Sequence, residues 1–361
     1  SLGLVGSEMC IRDRFGLEAQ ETAFPQHKWY VVDQHHPAAS DQNPGTLQFP
    51  LRTIQAGVER LQEGDTLFIR AGVYREQVVI RKSGKPGYPI VIRAFPGDEG
   101  RVIISGSEQV KVDSLRLERP GLWSFPWTLH LEANYPSNWP DYGEEPRHIE
   151  LVFVDGKPLR QVLALGLVRR GTFYVADDHI YFAPEHGGRP RFVEVAVRQR
   201  GIVIEGAHIV VRGFVVEHVA NPYGVGAIDA RGQYIVLESN EVRWNSLDGI
   251  CIRGRNHQLR KNVVIDNGGI GIVGSTYSSV YEGNVTQRNS WRTGPYWHAG
   301  GLKIIGGYPS QNVIRRHNAC YNNGPGIWLD TVGGENVVTQ SIVCANKQAG
   351  IKVEASTGRN V

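Results

Sequence analysis

A short phrase, glycine followed by an apolar–variable–apolar strand, recurs through the second half of this 361-residue sequence. Apolar side chains at every second position predict β-strands and argue against a helical solenoid, whose apolar period is 3.6. The copies recur at steps of about 20 to 32 residues, whereas a propeller blade needs roughly 40–45. The pattern therefore predicts a parallel β-helix in which each copy supplies one coil. The copies begin at Gly201, Gly249, Gly269, Gly301, Gly326 and Gly350, with a weaker one near Gly226.

Asparagine recurs at the corners between these strands. One set starts the second strand of a coil, and another precedes the next phrase. Asparagine tolerates left-handed backbone and bonds its own turn, so it suits a corner that every coil repeats. Because stacked coils place like residues above like, we expect the amides to form ladders. The two sets are Asn240, Asn262, Asn284 and Asn318, and Asn245, Asn267, Asn322 and Asn346.

The rest of the chain divides around this array. Residues 29–107 hold short alternating strands and read as N-terminal coils, and the apolar stripe from Thr53 to Leu61 predicts a helix that caps their open end. Between 108 and 200 the repeat breaks, and a hairpin pattern surrounds residues 177 and 178. We therefore expect an all-β fold: a right-handed parallel β-helix with an N-terminal capping helix, an inserted β-rich subdomain at 108–200, and C-terminal coils at 201–361.

Both ends of the sequence look unlike natural termini. Residues 1–14 lack the order of a signal peptide and resemble an adaptor-derived read-through in metagenomic reading frames. We expect this leader to be non-native and to contact the body little. The sequence stops at Val361 soon after a strand begins, so we expect a truncated chain whose last coil has an open edge near Val353. The sequence leaves both a cytoplasmic and a secreted location open, and it leaves the oligomeric state open.

Composition excludes several classes of protein. No run approaches the roughly 18 apolar residues of a membrane span, and the net charge of +3 without a basic cluster does not predict a nucleic-acid partner. The four cysteines have no zinc-like spacing, and we predict no metal and no cofactor. Cys320 and Cys344 are 24 residues apart, one coil. We expect them to be small buried residues stacked on each other, with a disulfide as the alternative.

Two acids occupy equivalent places in the last two coils. Counted from the glycine of the phrase, Asp330 and Glu354 are both at position five, and they are 24 residues apart. Positions two and four point inward, so both carboxylates should point outward from neighbouring strands, roughly 5 Å apart. Retaining glycosidases place their two carboxyl groups about 5–5.5 Å apart. The spacing therefore indicates a nucleophile and an acid/base, although like charges directly opposite are unfavourable in a sheet.

The surroundings of this pair suit a sugar. Trp328 is at the outward position three, where we expect an exposed ring that stacks on sugar. Lys303 and Lys352 flank it from the two neighbouring coils, as donors to sugar hydroxyls or as charges that favour an ionised nucleophile, and the alternative is a solvated surface lysine. The coil before them is longer and carries aromatic residues, which we expect to form a glycan wall. The alternative is a hydrophobic cluster under the loop. These residues are Trp291, Tyr296, Trp297 and His298.

These residues carry a family resemblance. The Thr-Ile-Gln-Ala and Gly-Val-Tyr-Arg-Glu phrases within 29–107 resemble the opening of many carbohydrate-active β-helix proteins, which implies a pectate-lyase-like solenoid. Gly-Ser-Glu at 106–108, Gly301-Leu-Lys, Trp328-Leu-Asp and Val353-Glu-Ala-Ser resemble the β-xylosidases of glycoside hydrolase family 120. That resemblance implies Asp330 as nucleophile, Glu354 as acid/base, and an oligosaccharide or polysaccharide of plant or microbial origin as substrate. His298 is followed by Ala299 where the family pattern leads us to expect an acid, a departure that bears on xylose specificity.

Two other functions fit the same fold. A polysaccharide lyase or epimerase would use a lysine base, for which Lys303 and Lys352 are candidates, and usually carboxylates clustered on calcium. The sequence offers no further acid in the column, since position five holds Arg253, Val273 and Ile305 in the earlier copies. A non-catalytic glycan-binding surface protein is the third possibility, and it has no need of the aromatic loop.

Overall fold

The computed structural model describes residues 27–136, 144–294, 296–306 and 310–360. The predicted leader at 1–14 and the terminal Val361 lie outside these ranges. Within them, no helix combines the length and apolar character needed to cross a bilayer.

The N-terminal part begins with six strands and one α-helix. They are β1 (Trp29–Val32), α1 (Ile54–Arg60), β2 (Thr66–Ile69), β3 (Gly72–Tyr74), β4 (Val78–Ile80), β5 (Ile90–Ala94) and β6 (Val102–Ser105).

The middle part contains nine strands among its described residues. They are β7 (Ser107–Gln109), β8 (Arg116–Arg119), β9 (Leu122–Pro126), β10 (Val152–Val154), β11 (Lys157–Pro158), β12 (Arg160–Gln161), β13 (Thr172–Val175), β14 (His179–Ala183) and β15 (Val193–Ala196). Three short 3-10 helices accompany them, at Val112–Ser114, Glu145–Arg147 and Leu165–Leu167.

The C-terminal part is a succession of short strands. They are β16 (Ile202–Ile204), β17 (Ile209–Arg212), β18 (Phe214–Glu217), β19 (Ile228–Ala230), β20 (Ile235–Glu238), β21 (Glu241–Arg243), β22 (Ile250–Arg255), β23 (Gln258–Arg260), β24 (Val263–Ile265), β25 (Ile272–Tyr277), β26 (Val280–Glu282), β27 (Val285–Gln287), β28 (Leu302–Ile305), β29 (Val313–Arg315), β30 (Asn318–Cys320), β31 (Ile327–Asp330), β32 (Val337–Thr339), β33 (Ile342–Cys344) and β34 (Ile351–Glu354).

The coils stack these strands into three long parallel sheets, as predicted. In the described residues, sheet 1 has the order β1-β2-β5-β17-β20-β23-β26-β29-β32, and sheet 2 has the order β3-β6-β18-β21-β24-β27-β30-β33. Sheet 3 has the order β4-β16-β19-β22-β25-β28-β31-β34. Every third strand of the C-terminal part thus pairs with its equivalent one coil away, and one continuous apolar core fills the space between the sheets. The all-β parallel β-helix is confirmed.

The middle part joins the array without interrupting it. Strands β4, β5 and β6 pair in parallel with β16, β17 and β18, so the coils before and after residues 107–200 are direct neighbours. The middle strands form two other sheets, β11-β10-β15-β7 and β12-β13-β14-β9-β8, whose pairing is antiparallel except between β12 and β13. The hairpin predicted around residues 177 and 178 is present as β13 and β14. The boundaries 29–107, 108–200 and 201–361 stay predictions.

A helix forms where the apolar stripe predicts one. Thr53 caps α1, since its hydroxyl accepts a hydrogen bond from the backbone N–H of Ala56. Ile54 and Val58 enter the main core, and the helix packs against β1, β2 and β4. Its role as a cap stays a prediction.

Asparagine ladders follow both predicted corners, with two corrections to their membership. Asn245, Asn267 and Asn289 are joined by side-chain amide hydrogen bonds of 2.9 and 3.0 Å, and the ladder continues through Asn322 to Asn346. In the other ladder, Asn240 and Asn262 lead to Asn284, and His317 occupies the next place instead of the predicted Asn318, which begins β30. The missed Asn289 belongs to the first ladder.

The left-handed corner residues are not the asparagines. Ser239 and Lys261, each at φ 54°, precede the ladder residues Asn240 and Asn262. The amides instead bond to neighbouring coils: Asn262 donates to the carbonyl of Leu237 at 2.8 Å. Asparagine recurs here because its buried amide satisfies backbone groups of adjacent coils, and not because of backbone conformation.

One copy of the repeat, predicted to begin at Gly269, begins two residues later. Ile272 pairs with Ile250 on one side and with Leu302 on the other, so the coil begins at Gly271 and not at Gly269. Position five of this coil is therefore Ser275 and not Val273. The sequence pattern does not show this copy because its position four is Gly274 and not an apolar side chain. A Cβ at Gly274 would lie 2.3 Å from the hydroxyl oxygen of Tyr281, whose buried ring occupies that part of the core.

The two cysteines of the final coils form a disulfide. Cys320 and Cys344 face each other in the pairing of β30 with β33, and their sulfurs are bonded. The expectation of two unbonded buried cysteines is wrong, because parallel register brings their Cα atoms to 4.6 Å. Cys320 is buried but Cys344 is exposed. The neighbouring apolar residues Ile351 and Val353 are exposed too.

Candidate active site

The two acids of the last coils face each other across sheet 3. Asp330 ends β31 and Glu354 ends β34, and the parallel register places them directly opposite. Ile327 and Leu329 of β31 enter the core. Because side chains alternate along a strand, Trp328 and Asp330 therefore point to the outer face. The predicted register of the pair is confirmed.

Each carboxylate has its own lysine. The Nζ atom of Lys303 lies 3.0 Å from an Asp330 carboxylate oxygen and donates to the carbonyl of Trp297 at 2.9 Å. The Nζ atom of Lys352 lies 2.9 Å from a Glu354 carboxylate oxygen. These cations offset the repulsion between two like charges in neighbouring strands.

The two ion pairs differ in their access to solvent. Lys303 is fully buried, and the side chain of Asp330 is 18% exposed. The side chains of Lys352 and Glu354 are 34% and 45% exposed. Burial lowers the pKa of Lys303, and the hydrogen bond to Asp330 opposes that effect. The alternative of a solvated surface lysine is wrong for Lys303, whose charge is held inside the protein.

Trp328 lies between the two lysines and is not exposed. Only 2% of its surface is accessible. The ammonium nitrogens of Lys303 and Lys352 lie 3.4 Å and 4.1 Å from the centroid of the indole, and both lysines are its register partners on neighbouring strands. The expectation of an exposed sugar-stacking ring is wrong, because cation–π contacts from the flanking strands cover the indole.

The long loop before β28 brings two aromatic residues to the site. The indole of Trp297 lies 5.0 Å from Nζ of Lys303 and 5.8 Å from the ring of His298. The Nε2 atom of His298 is 2.8 Å from a carboxylate oxygen of Asp248. Asp248 is fully buried, and its carboxylate also accepts the backbone N–H of Ile270 at 2.9 Å. This carboxylate fixes the orientation of the imidazole that packs against Trp297.

Two further aromatic residues pack against Trp297 and His298. The ring of Tyr223 lies 4.7 Å from that of His298 and 6.2 Å from that of Trp297. Tyr135, from the middle part of the chain, lies 5.3 Å from Tyr223. The sequence analysis did not identify Asp248, Tyr223 or Tyr135 as part of this site. A signal existed only for Asp248, which directly precedes the phrase beginning at Gly249; the two tyrosines come from distant segments and have no local signature.

The other two predicted wall residues lie at the surface. Trp291 is 37% exposed, and its indole donates to the backbone carbonyl of Asp266 at 2.9 Å. It lines a cavity whose walls include none of the residues that contact the two carboxylates. Tyr296 is exposed. The structure thus places Trp297 beside Lys303 and His298 against Trp297, and it places Trp291 in a cavity away from the two carboxylates.

Metal binding has no candidate among the described residues, where no three His, Cys, Asp or Glu side chains are grouped closely enough to hold an ion. The ionisable groups gathered in this region are two carboxylates and two lysines, with the buried pair of His298 and Asp248 nearby.

Comparisons with known proteins agree with this architecture. A family model described as "Right handed beta helix region" matches residues 200–361. The structure of XylC with xylose superposes with a TM-score of 0.75 at 21% identity, covering 91% of this chain and 64% of that one. A structure described as a glycoside hydrolase gives a TM-score of 0.51 at 12% identity, covering 92% and 96% of the two chains.

One curated relative matches a short segment. Pectate lyase PEL9 of Emericella nidulans is 39% identical over 74 residues, which is 20% of this chain and 18% of the lyase. This chain therefore spans less than two thirds of XylC and less than a fifth of the lyase. Together these similarities establish a right-handed parallel β-helix, the fold that these carbohydrate-active proteins share.

Proposed function

We propose that this protein is a retaining glycoside hydrolase, with Asp330 as the nucleophile and Glu354 as the acid/base. The observation that carries the proposal is the direct pairing of the two residues on neighbouring strands of one outer face. Parallel neighbours lie about 4.7–4.9 Å apart, close to the roughly 5–5.5 Å between the carboxyl groups of retaining enzymes and shorter than the roughly 6.5–9.5 Å of inverting ones.

The reaction then proceeds in two displacements. An oxygen of Asp330 attacks the anomeric carbon while Glu354 gives its proton to the departing glycosidic oxygen, and a covalent glycosyl-enzyme forms. Glu354, now a carboxylate, takes a proton from water as that water attacks the anomeric carbon and releases Asp330. The sugar leaves with its original anomeric configuration.

The two roles follow from the environments of the two acids. Asp330 is the less exposed, and the ammonium group of its buried partner Lys303 lies 3.0 Å from the carboxylate that we assign as nucleophile. Glu354 is more open to solvent, and solvent screens its contact with Lys352. Glu354 is therefore the better placed to gain and lose a proton and to meet a water molecule.

A β-xyloside is the first candidate substrate. The motifs at Gly301, Trp328 and Val353 resemble family 120, and the similar XylC structure holds xylose. Ala299, beside His298, stands where the family pattern leads us to expect an acid, so the sugar that this enzyme prefers can differ from xylose.

A polysaccharide lyase or epimerase is the second candidate. Two observations favour it: the local similarity to a pectate lyase, and the burial that lowers the pKa of Lys303 towards the range of a general base. In that reaction the lysine would remove the proton next to a uronate carboxylate.

A screen of aryl glycosides, with aryl β-xyloside first, tests the proposal. Asp330→Asn should abolish turnover while the protein stays folded, because no glycosyl-enzyme can form. Glu354→Gln should still react with substrates that have good leaving groups and accumulate the glycosyl-enzyme, and azide should restore turnover. The matched control is Glu335→Gln, an exposed carboxylate at a corner of the same coil, which should keep wild-type activity.

Four results would contradict parts of this assignment. Inversion of the anomeric configuration, seen by proton NMR early in the reaction, would overturn the retaining mechanism. Azide rescue that gives the retained glycosyl azide with Asp330→Asn, or the inverted one with Glu354→Gln, would reverse the roles. An unsaturated product that absorbs in the ultraviolet would favour the lyase, and glycan binding without turnover of any substrate would favour a non-catalytic protein.

A further inference from the structure

A cavity lies at the seam between the middle part and the coils. Its volume is about 350 Å³, within the range of small-molecule sites. One wall comes from the middle part and the other from the coil corners. We call it the seam cavity; it is lined by Glu145, His148, Leu151, Pro158, Leu159, Arg160, Gln161, Leu163, Trp244, Trp291 and Arg292.

The walls of the seam cavity suit a ring. Leu151, Leu159 and Leu163 supply an apolar surface, and Leu163 is exposed at the surface of the protein. The indole of Trp291 is fixed by its hydrogen bond to a backbone carbonyl and remains 37% exposed. The guanidinium carbon of Arg292 lies 4.9 Å from the centroid of this indole. A flat, held and accessible indole is a stacking surface for a planar or saccharide ring.

The same wall contains a buried positive charge. Arg292 donates to three neutral acceptors: the side-chain oxygen of Gln161 at 3.1 Å, and the backbone carbonyls of Glu150 at 3.0 Å and Glu145 at 3.4 Å. It forms no ion pair with a described carboxylate, and its buried Nε has no hydrogen-bond partner among the described residues. Burial lowers its pKa to about 10, so it stays charged at neutral pH.

The nearby acids are engaged elsewhere. A carboxylate oxygen of Glu145 lies 3.2 Å from Arg160, and the carboxylate of Glu150 accepts from the Gln161 amide at 3.0 Å. Among the lining residues, Arg160 and Arg292 face one acid, Glu145, and the charges of Glu150 and Glu145 stabilise Arg292 without a direct ion pair. Because no described carboxylate contacts the guanidinium and its buried Nε is unpaired, a ligand carboxylate would supply the charge-assisted hydrogen bond that this group lacks.

We propose that the seam cavity binds a small ligand composed of one ring and a carboxylate, with the ring against the indole of Trp291 and the carboxylate beside the guanidinium of Arg292. A uronic acid and an aromatic carboxylic acid share this chemistry. The site is separate from the paired carboxylates, and the proposal does not depend on the proposed hydrolysis.

Calorimetric titration with two carboxylate probes tests this site. D-glucuronate and benzoate are compared with their uncharged counterparts, D-glucose and benzyl alcohol. At least one carboxylate should bind, about tenfold or more tighter than its counterpart, because only the carboxylate compensates Arg292. Trp291→Ala should weaken that binding by about tenfold or more, because the stacking surface is lost.

Two more variants keep the test decisive. Arg292 bridges the two parts of the chain, so its replacement can fail to fold. Leu163→Trp instead fills the cavity from its exposed side and should abolish binding while the circular dichroism spectrum and the melting temperature stay those of the wild type. Trp29→Ala, an exposed tryptophan outside the cavity, is the matched control and should bind as the wild type. The proposal is overturned if neither carboxylate binds, if Trp291→Ala binds normally, or if xylose displaces the probe.

Discussion

His317 makes the stability of the coils depend on pH. It is fully buried, its Nε2 lies 2.9 Å from the hydroxyl of Thr286, and its Nδ1 has no partner among the described residues. Burial lowers the pKa of His317 to about 4. An unfolded histidine titrates near 6.5, so below that pH the unfolded chain binds a proton that the folded protein refuses. Stability is therefore complete above pH 6.5 and falls as the pH drops towards 4.

The size of this effect follows from the two pKa values. With about 4 in the folded protein and about 6.5 in the unfolded chain, one histidine costs about 2 kcal/mol of stability between pH 7 and pH 5. His317→Asn removes this titration and places an amide where the ladder of Asn262 and Asn284 would continue. The free energy of unfolding by urea, measured at pH 7 and pH 5, should then differ by about 2 kcal/mol less than in the wild type.

A second variant separates titration from hydrogen bonding. Thr286→Val removes the hydroxyl that contacts His317 but leaves the buried imidazole, so the loss of stability at pH 5 should persist. An unchanged pH dependence in His317→Asn would refute the reasoning. His218 and His257, whose pKa values burial also lowers to about 4, contribute to the pH dependence that remains.

Three further outcomes are expected. Asn267→Ala should lower the free energy of unfolding by about 3 kcal/mol, because buried partners on two neighbouring coils lose their hydrogen bonds. An effect below about 1 kcal/mol would show that the ladder is dispensable. Replacing both cysteines of the disulfide by serine should cost about 3 kcal/mol for a 24-residue loop, and thermal unfolding with and without reductant would reveal no difference if the bond were absent. Lys303→Met should lower kcat/KM on the best aryl glycoside by roughly 10²-fold, whereas Lys352→Met, more exposed, should lower it less than roughly tenfold; equal effects would contradict the distinct roles of the two ion pairs.

The pairing of Asp330 with Glu354 could be predicted because it needs only the period of two and the length of one coil. It survived the misplacement of one copy, since a slip from Gly271 to Gly269 keeps every side chain on the same face. The burial of Trp328 could not be predicted in this way. The alternation of side chains along a strand predicts which face of the sheet Trp328 is on. It does not predict that two lysines, each one coil away, cover the indole on that face.

Contacts between distant segments were beyond the reach of local pattern. The buried Asp248 holds His298 across 50 residues, and Tyr135 reaches the site from the middle part. The disulfide also depends on detail that the spacing does not contain. One coil of separation predicts that Cys320 and Cys344 stack, but only the parallel register shows that their Cα atoms are close enough for a covalent bond.

The way the middle part is spliced into the array sets an order of folding. In the C-terminal coils each strand finds its partner nearby, as Ile250 finds Ile272 after 22 residues. Ile80 and Ile204, also neighbours in sheet 3, are 124 residues apart. Closing the longer loop costs more entropy and slows the pairing that depends on it. The C-terminal coils should therefore form first, and β1 to β6 should pair with them last. During refolding, amide hydrogens in β4 and β5 should become protected from exchange later than those in β22 and β25.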